Sequence, residues 1–323
     1  MGIQDRDYYR DGRSPNDGFF APAGFRSMSG WSFNTWIIVV NVVVFLADIF
    51  LRTSVSYPSP VSAAFQMGPL EYWGYFSTTT ALQDYQIWRF ISFQFLHANF
   101  FHILFNMLGL FWFGPEIERY LGSRRYLAFY LLCGVAGAAL YLILNVAGII
   151  WYQQTQQSLP ILLIHNPAMP LVGASAGVFG VLLGVAYLRP RQLITVFIFF
   201  IPITMQVRTL AYGLVLIALY TVLFGGQNAG GQAGHLGGAA LGALLIRRPR
   251  VLNWALLMPL DGLKSRGHHA FRNLAGGAGR GSSVDDAEID RILSKVATQG
   301  LHSLTARERR VLESATEEKR GGR

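Results

Sequence analysis

Apolar positions in this chain do not alternate with polar ones but run together, and several of the runs close on a cluster of arginines. Runs of about 15 to 25 apolar residues are long enough to cross a bilayer as helix. The pattern predicts spans over Trp31 to Leu51, Phe100 to Gly114, Tyr126 to Ile150, Leu171 to Leu188, Leu210 to Phe224 and Gly234 to Ile246. A further apolar stretch, Leu193 to Val207, is short, holds Pro202 and is bracketed by Arg191 and Arg208. Were it to cross, Arg247, Arg248 and Arg250 would fall outside, so it is read as an interfacial element, in the form of a short strand pair at the cytoplasmic surface.

Composition agrees with that class. The 323 residues are 52% hydrophobic and 14% charged, with mean hydropathy +0.33. The net charge of +9 resides largely in arginines at run ends: Arg119, Arg124 and Arg125 after the second, Arg189 and Arg191 after the fourth, and Arg247, Arg248 and Arg250 after the sixth. The connection from Trp151 to Pro170 has no Lys or Arg, so the positive-inside rule puts both termini in the cytoplasm. That distribution orients helices and argues against nucleic-acid binding. The lone cysteine, Cys133, lies inside an apolar run and leaves no disulfide framework.

Residues 1–30 mix Arg6, Arg10 and Arg13 with Asp5, Asp7 and Asp11, unlike a signal or transit peptide. They are read as a cytoplasmic tail, and the leaning is to a bacterial plasma membrane. The stretch Arg52 to Leu96 is rich in Tyr, Trp and Phe and is expected to fold against the outer membrane surface. The membrane domain is assigned 31–251 and a flexible linker 252–282. A cytoplasmic helical hairpin over 283–323 follows, with Asp286 capping a helix of Ile289, Ile292, Leu293 and Val296 that stops at Gly300. Thr305 and Glu308 form a capping box for a second helix bearing Val311 and Leu312. A protein partner is one use for this tail.

Three spans carry polar residues that packing does not explain, and polar groups inside a bilayer are usually functional. With the topology above, Ser175, His235, His102 and Asn106 all fall at the outer side, and the spacing of His102 and Asn106 puts them on one helix face. A serine hydroxyl needs a base, which His235 supplies, and Asn or His side chains can donate to an oxyanion. Asp48 is a conceivable third member, but a Ser-His dyad is simpler. Gly173, Gly177 and Gly180, with Gly234, Gly238 and Gly242, form small-residue ridges that let the two helices approach closely. His97 would complete a metal set with His102 and His235, yet H-E-x-x-H is lacking and no carboxylate stands by, so no metal or other cofactor is expected. His165 and Asn145 have no partners of this kind.

These motifs in this order resemble the rhomboid intramembrane serine proteases. The resemblance rests on Trp88-Arg89, His97-Ala-Asn-Phe-Phe-His102-Ile-Leu-Phe-Asn106, Glu118-Arg-Tyr-Leu-Gly122, Gly173-Ala-Ser175 and Gly234-His235 with Gly238 and Gly242, over roughly residues 31–250. It implies an all-α polytopic protein, a six-helix bundle with a membrane-associated first loop and the small helical hairpin beyond it. Ser175 is then the nucleophile, His235 the general base, and His102, Asn106 and the Ser175 amide the oxyanion donors. Trp88 and Arg89 stabilise the loop and Glu118 connects helices. Phe179 stands where many members have tyrosine, so it can pack on His235 without offering a hydroxyl, and Ala176 stands where Gly is common. Substrates would be transmembrane proteins in the bilayer, with the Gly225 to Gly234 loop and the fifth span as cap and gate. A catalytically inactive relative that routes membrane clients is the alternative. A proton-coupled transporter is disfavoured, because spans two to six hold no buried acid away from their ends.

Overall fold

A computed structural model describes residues 31–258 apart from 61, 160, 162–165, 199–200 and 227, and, in the tail, residues 291–292, 295–296 and 301–312. The first helix, α1 (Phe33–Arg52), begins where Ser32 Oγ accepts from the Thr35 amide at 3.1 Å. Its next free amides are satisfied from a distant part of the chain: the Glu118 carboxylate accepts Phe33 N–H at 2.8 Å and Asn34 N–H at 3.0 Å. A carboxylate suits the partial positive charge of a helix N-terminus, so Glu118 ties α1 to the helix that carries it.

The first loop then folds into short elements. A hairpin of β1 (Tyr57–Ser59) and β2 (Ser62–Met67) leads to α2 (Pro69–Gly74), α3 (Thr78–Leu82), α4 (Arg89–Ser92) and a 3₁₀ turn at Phe93–Phe95. Asp48 closes the start of this loop, accepting the Leu70 and Glu71 amides at 2.7 and 3.1 Å.

Next come α5 (Phe100–Leu121) and α6 (Ser123–Thr155), joined at Gly122, whose φ of 79° is left-handed space that favours glycine. After α7 (Ser175–Leu188), strands β3 (Leu193–Ile198) and β4 (Ile201–Gln206) pair antiparallel in continuous register, giving the apolar Leu193 to Val207 stretch the form of a strand pair. The chain continues through α8 (Val207–Leu223), α9 (Ala229–Arg247) and a 3₁₀ segment at Pro249–Leu257. Helices α1, α5 and α6 are long and apolar enough to cross a membrane, and α7 and α8 are shorter apolar helices. The fold is thus mainly helical but includes two short hairpins, of which β3–β4 is the strand pair read from the sequence and β1–β2 is one that reading leaves out.

Helix α9 packs against α6, α7 and α8. The interior holds Tyr126, Phe129 and Tyr130 of α6 with Leu110 and Ile117 of α5, all fully buried. The outside is apolar too: Val43, Leu46 and Phe50 of α1, Phe101, Phe105 and Phe111 of α5, and Leu216, Ile217 and Tyr220 of α8 are exposed. Exposed apolar surface on this scale marks contact with a membrane or partner, and with helices of this length and composition it identifies a membrane protein.

Three boundaries differ from the sequence reading. Helix α7 starts at Ser175 rather than Leu171, because Leu171 pairs with Phe76 in an isolated bridge and Gly173 takes φ 129°. Helix α9 starts at Ala229, so Gly230, Gly231 and Gly234 are helical and the connection from α8 is much shorter than a Gly225 to Gly234 loop. Residues 252–257 pack instead of forming linker: Leu252 and Ala255 are buried, and Arg124 donates to the Leu256 carbonyl at 2.5 Å.

Residues Ser265–Arg323 form a separate compact unit. A helix over 306–312 opens on the expected capping box, with Glu308 N–H donating to Thr305 Oγ1 at 3.2 Å and Thr305 N–H to Glu308 Oε2 at 3.0 Å. Glu308 also pairs with Lys295 at 2.9 Å and Arg291 at 3.2 Å. The Thr305 amide, then Lys295, hold its carboxyl down to about 2. Ile292 is buried, while Asp286, Ile289, Leu293 and Gly300 lie outside the described residues.

Candidate active site

Ser175 is the first residue of α7, and no side chain caps that helix. Its backbone amide is therefore among those that an α-helix leaves without an internal partner, at the positive end of the helix dipole. Its hydroxyl meets a residue 60 positions away: Ser175 Oγ lies 2.8 Å from Nε2 of His235 on α9. The His235 ring is held on two further sides. Phe179, one turn beyond Ser175, stacks on it with centroids 4.3 Å apart and planes inclined 13°, and Gln232 Oε1 lies 2.9 Å from Nδ1.

Glycines make this approach possible. A Cβ at Gly238 would run into the Ala176 carbonyl, and one at Gly242 would lie 2.5 Å from the Gly180 Cα. Backbone thus touches backbone between α7 and α9. Ala176, the departure from glycine, is accommodated by Gly137 of α6, where a Cβ would stand 2.6 Å from the Ala176 methyl. At Gly173 conformation and space act together: φ is 129°, and a Cβ there would lie 2.6 Å from His102 Nε2 and 3.5 Å from Ser175 Oγ.

His102 and Asn106 sit on α5, with Asn99 Oδ1 capping the helix by accepting the His102 amide at 2.9 Å. Asn106 is buried, and its Nδ2 donates to the His102 carbonyl at 2.8 Å. An amide nitrogen carries two protons, so a second donor remains. Both side chains line the same cavity as Ser175 and His235, a cleft of about 870 Å³ that continues between α5 and α8 past Trp112, Leu210 and Leu214. The four residues predicted to act together do share one cavity.

The first loop braces the approach to Ser175. Buried Arg89 donates to the Tyr75 carbonyl at 2.6 Å and the Tyr72 carbonyl at 3.1 Å, and its guanidinium lies 4.6 Å from the Tyr75 ring centroid. Burial lowers its pKa from the usual guanidinium value. The loop so ordered exchanges two backbone bonds between Phe76 and Leu171, at 3.0 and 2.7 Å, and the Gly173 amide donates to the Phe93 carbonyl at 2.9 Å. Trp88 is half-exposed and reaches the Trp73 carbonyl at 3.4 Å, so Arg89 is the principal brace of the pair.

Other candidates are placed elsewhere. Asp48 is engaged with the start of α2 and with Arg52 at 3.2 Å, and the Nδ1 side of His235 belongs to Gln232. Gln232 escaped sequence reading because a glutamine in a glycine-rich segment carries no motif; its spacing of three before His235 was the available signal. His97 is buried and edge-to-face with His102 at 5.1 Å, and neither ring nitrogen has a hydrogen-bond partner among the described residues. Among those residues no three His, Cys, Asp or Glu side chains cluster as a metal site. Asn145 accepts from Thr78 Oγ1 at 2.5 Å and is part of the packing, whereas His165 lies outside the described residues.

Comparison with known proteins places the chain in a family. A family model described as the rhomboid domain matches residues 84–248, and one for a family of unknown function, DUF6576, matches residues 284–317. RHOMBOID-like protein 12, mitochondrial, of Arabidopsis thaliana is 32% identical over 164 residues, covering 50% of this chain and 46% of the relative. The rhomboid protease AarA of Providencia stuartii is 30% identical over 162 residues, 49% of this chain and 54% of its own. The putative rhomboid protease YdcA of Bacillus subtilis is 36% identical over 93 residues, 29% of this chain and 37% of its own. The chain spans about half or less of the length of these relatives. With the rhomboid match extending over half its length, the chain belongs to the rhomboid family.

Proposed function

We propose that this protein is an intramembrane serine endopeptidase that hydrolyses peptide bonds in or near the membrane spans of other proteins. The observation that carries the reading is the 2.8 Å contact between Ser175 Oγ and His235 Nε2, made between two helices inside a cleft large enough for an extended peptide. His235 takes the Ser175 proton as Oγ attacks the scissile carbonyl. The oxyanion is received by the Ser175 amide with Asn106 and His102, which line the same cavity and supply donors to the developing charge. As the tetrahedral intermediate collapses, the proton passes to the leaving amine and an acyl-enzyme remains, which water hydrolyses by the reverse sequence. Arg89 and Gly173 act by holding the segment before Ser175, and Gly238 and Gly242 by letting α7 and α9 meet. Phe179 orients the imidazole without adding a hydroxyl.

Six membrane crossings with both termini on the cytoplasmic side are the topology we assign. The arginines at the ends of α5, α7 and α9 mark that side, and Ser175 and His235 stand at the opposite end. Substrate spans must unwind locally before they can be cut, because a peptide locked in a helix has its carbonyl occupied. Relatives named as proteases support the assignment. Labelling with a serine-directed fluorophosphonate tests it: the parent protein in detergent takes up the probe, and Ser175→Ala and His235→Ala do not. A parent that takes none contradicts the protease reading and selects the client-binding alternative.

A further inference from the structure

The Nδ1 side of His235 matters as much as the side facing serine. For Nε2 to accept a proton it must hold a lone pair, so in neutral imidazole the proton must reside on Nδ1. Three-residue triads fix that tautomer with a carboxylate, but Asp48 is committed to α2 and Arg52. What stands 2.9 Å from Nδ1 is Gln232 Oε1, three residues earlier on α9 and hence on the same helix face. An amide oxygen accepts only. Turned the other way, the Gln232 amide would donate to Nδ1, place the proton on Nε2 and leave Ser175 with no acceptor.

We propose that Gln232 is the positioning residue of the site, its amide oxygen accepting the Nδ1 proton of His235 so that Nε2 is free to take the serine proton. The inference rests on the protease reading above. A neutral acceptor fits a site within apolar helices, where an added carboxylate would be costly to desolvate. During acylation the Ser175 proton moves to Nε2, the positive charge spreads over the ring, and the Nδ1 proton stays in the bond to Gln232. Among the described residues lining the cavity, His102 of α5 and Tyr141 of α6 are the other titratable groups on this side; α7 adds Ser175, and α8 adds only Leu210 and Leu214.

The test is the pH dependence of fluorophosphonate labelling by the full-length protein. Gln232→Leu keeps the bulk but removes the acceptor, and labelling slows about tenfold near neutral pH. Gln232→Glu keeps an acceptor and adds charge that favours the imidazolium, moving the acid limb of the rate profile about one pH unit or more upward. A purely structural role would alter rate or Tm without that directed shift. Labelling by Gln232→Leu within twofold of the parent, together with an unmoved acid limb in Gln232→Glu, overturns the inference. A parent that does not label at all overturns the protease reading, and this one with it.

Discussion

At the residue scale, burial decides what each polar group can do. His97 is enclosed, with neither nitrogen partnered among the described residues, and burial first and His102 second push its pKa down to about 3. It is neutral in the folded protein, while the unfolded chain binds a proton near the ordinary value of about 6.5. Its contribution is therefore complete above about pH 6.5 and declines as pH falls toward 3. Thermal melts of the parent and His97→Gln between pH 7 and 4 check this: the parent Tm falls more steeply. Parallel curves would contradict it. Of the residue-scale picture, Ser175, His235, His102 and Asn106 were legible because polar side chains in apolar runs stand out. Gln232 and the engagement of Asp48 were not, since each depends on which side chain points where.

At the scale of elements, the site depends on how nearly α7 and α9 approach. A Cβ at Gly238 meets the backbone carbonyl of Ala176, which cannot rotate aside as a side chain could. Gly238→Ala is expected to destabilise by about 1–3 kcal/mol, as overpacked cores do. It should also separate Ser175 from His235 and lower labelling. A Tm and labelling rate equal to the parent's would show that the contact is slack. The small-residue spacing along α7 and α9 disclosed this approach in advance, and the placement of apolar runs located the helices. Helix ends were less visible. Helix α7 starts late because Leu171 is drawn into a bridge with Phe76, 95 residues earlier in the chain, a tertiary pairing with no local signature. The β1–β2 hairpin was likewise hidden in a segment whose aromatic content spoke only of the interface.

At the scale of the whole molecule, access governs function. The cleft that holds Ser175 opens between α5 and α8, and under the proposed function a membrane-spanning substrate enters from the side between these helices. A short covalent bridge between Cys residues placed at Trp112 and Leu214 is expected to abolish cleavage of a reconstituted single-pass substrate while leaving a small soluble probe able to react. Unchanged cleavage would exclude α8 as the gate. The membrane class and the order of the helices were legible from apolar runs and arginine placement, because those follow from transfer energies summed over many residues. The cleft was not, since it is the space left between helices that meet only in the folded protein. The central claim, that Ser175 activated by His235 is the nucleophile, is tested most directly by mapping the site of fluorophosphonate attachment by mass spectrometry. The account predicts a single phosphonyl adduct on Ser175, lost in His235→Ala; an adduct on another residue, or none, would contradict it.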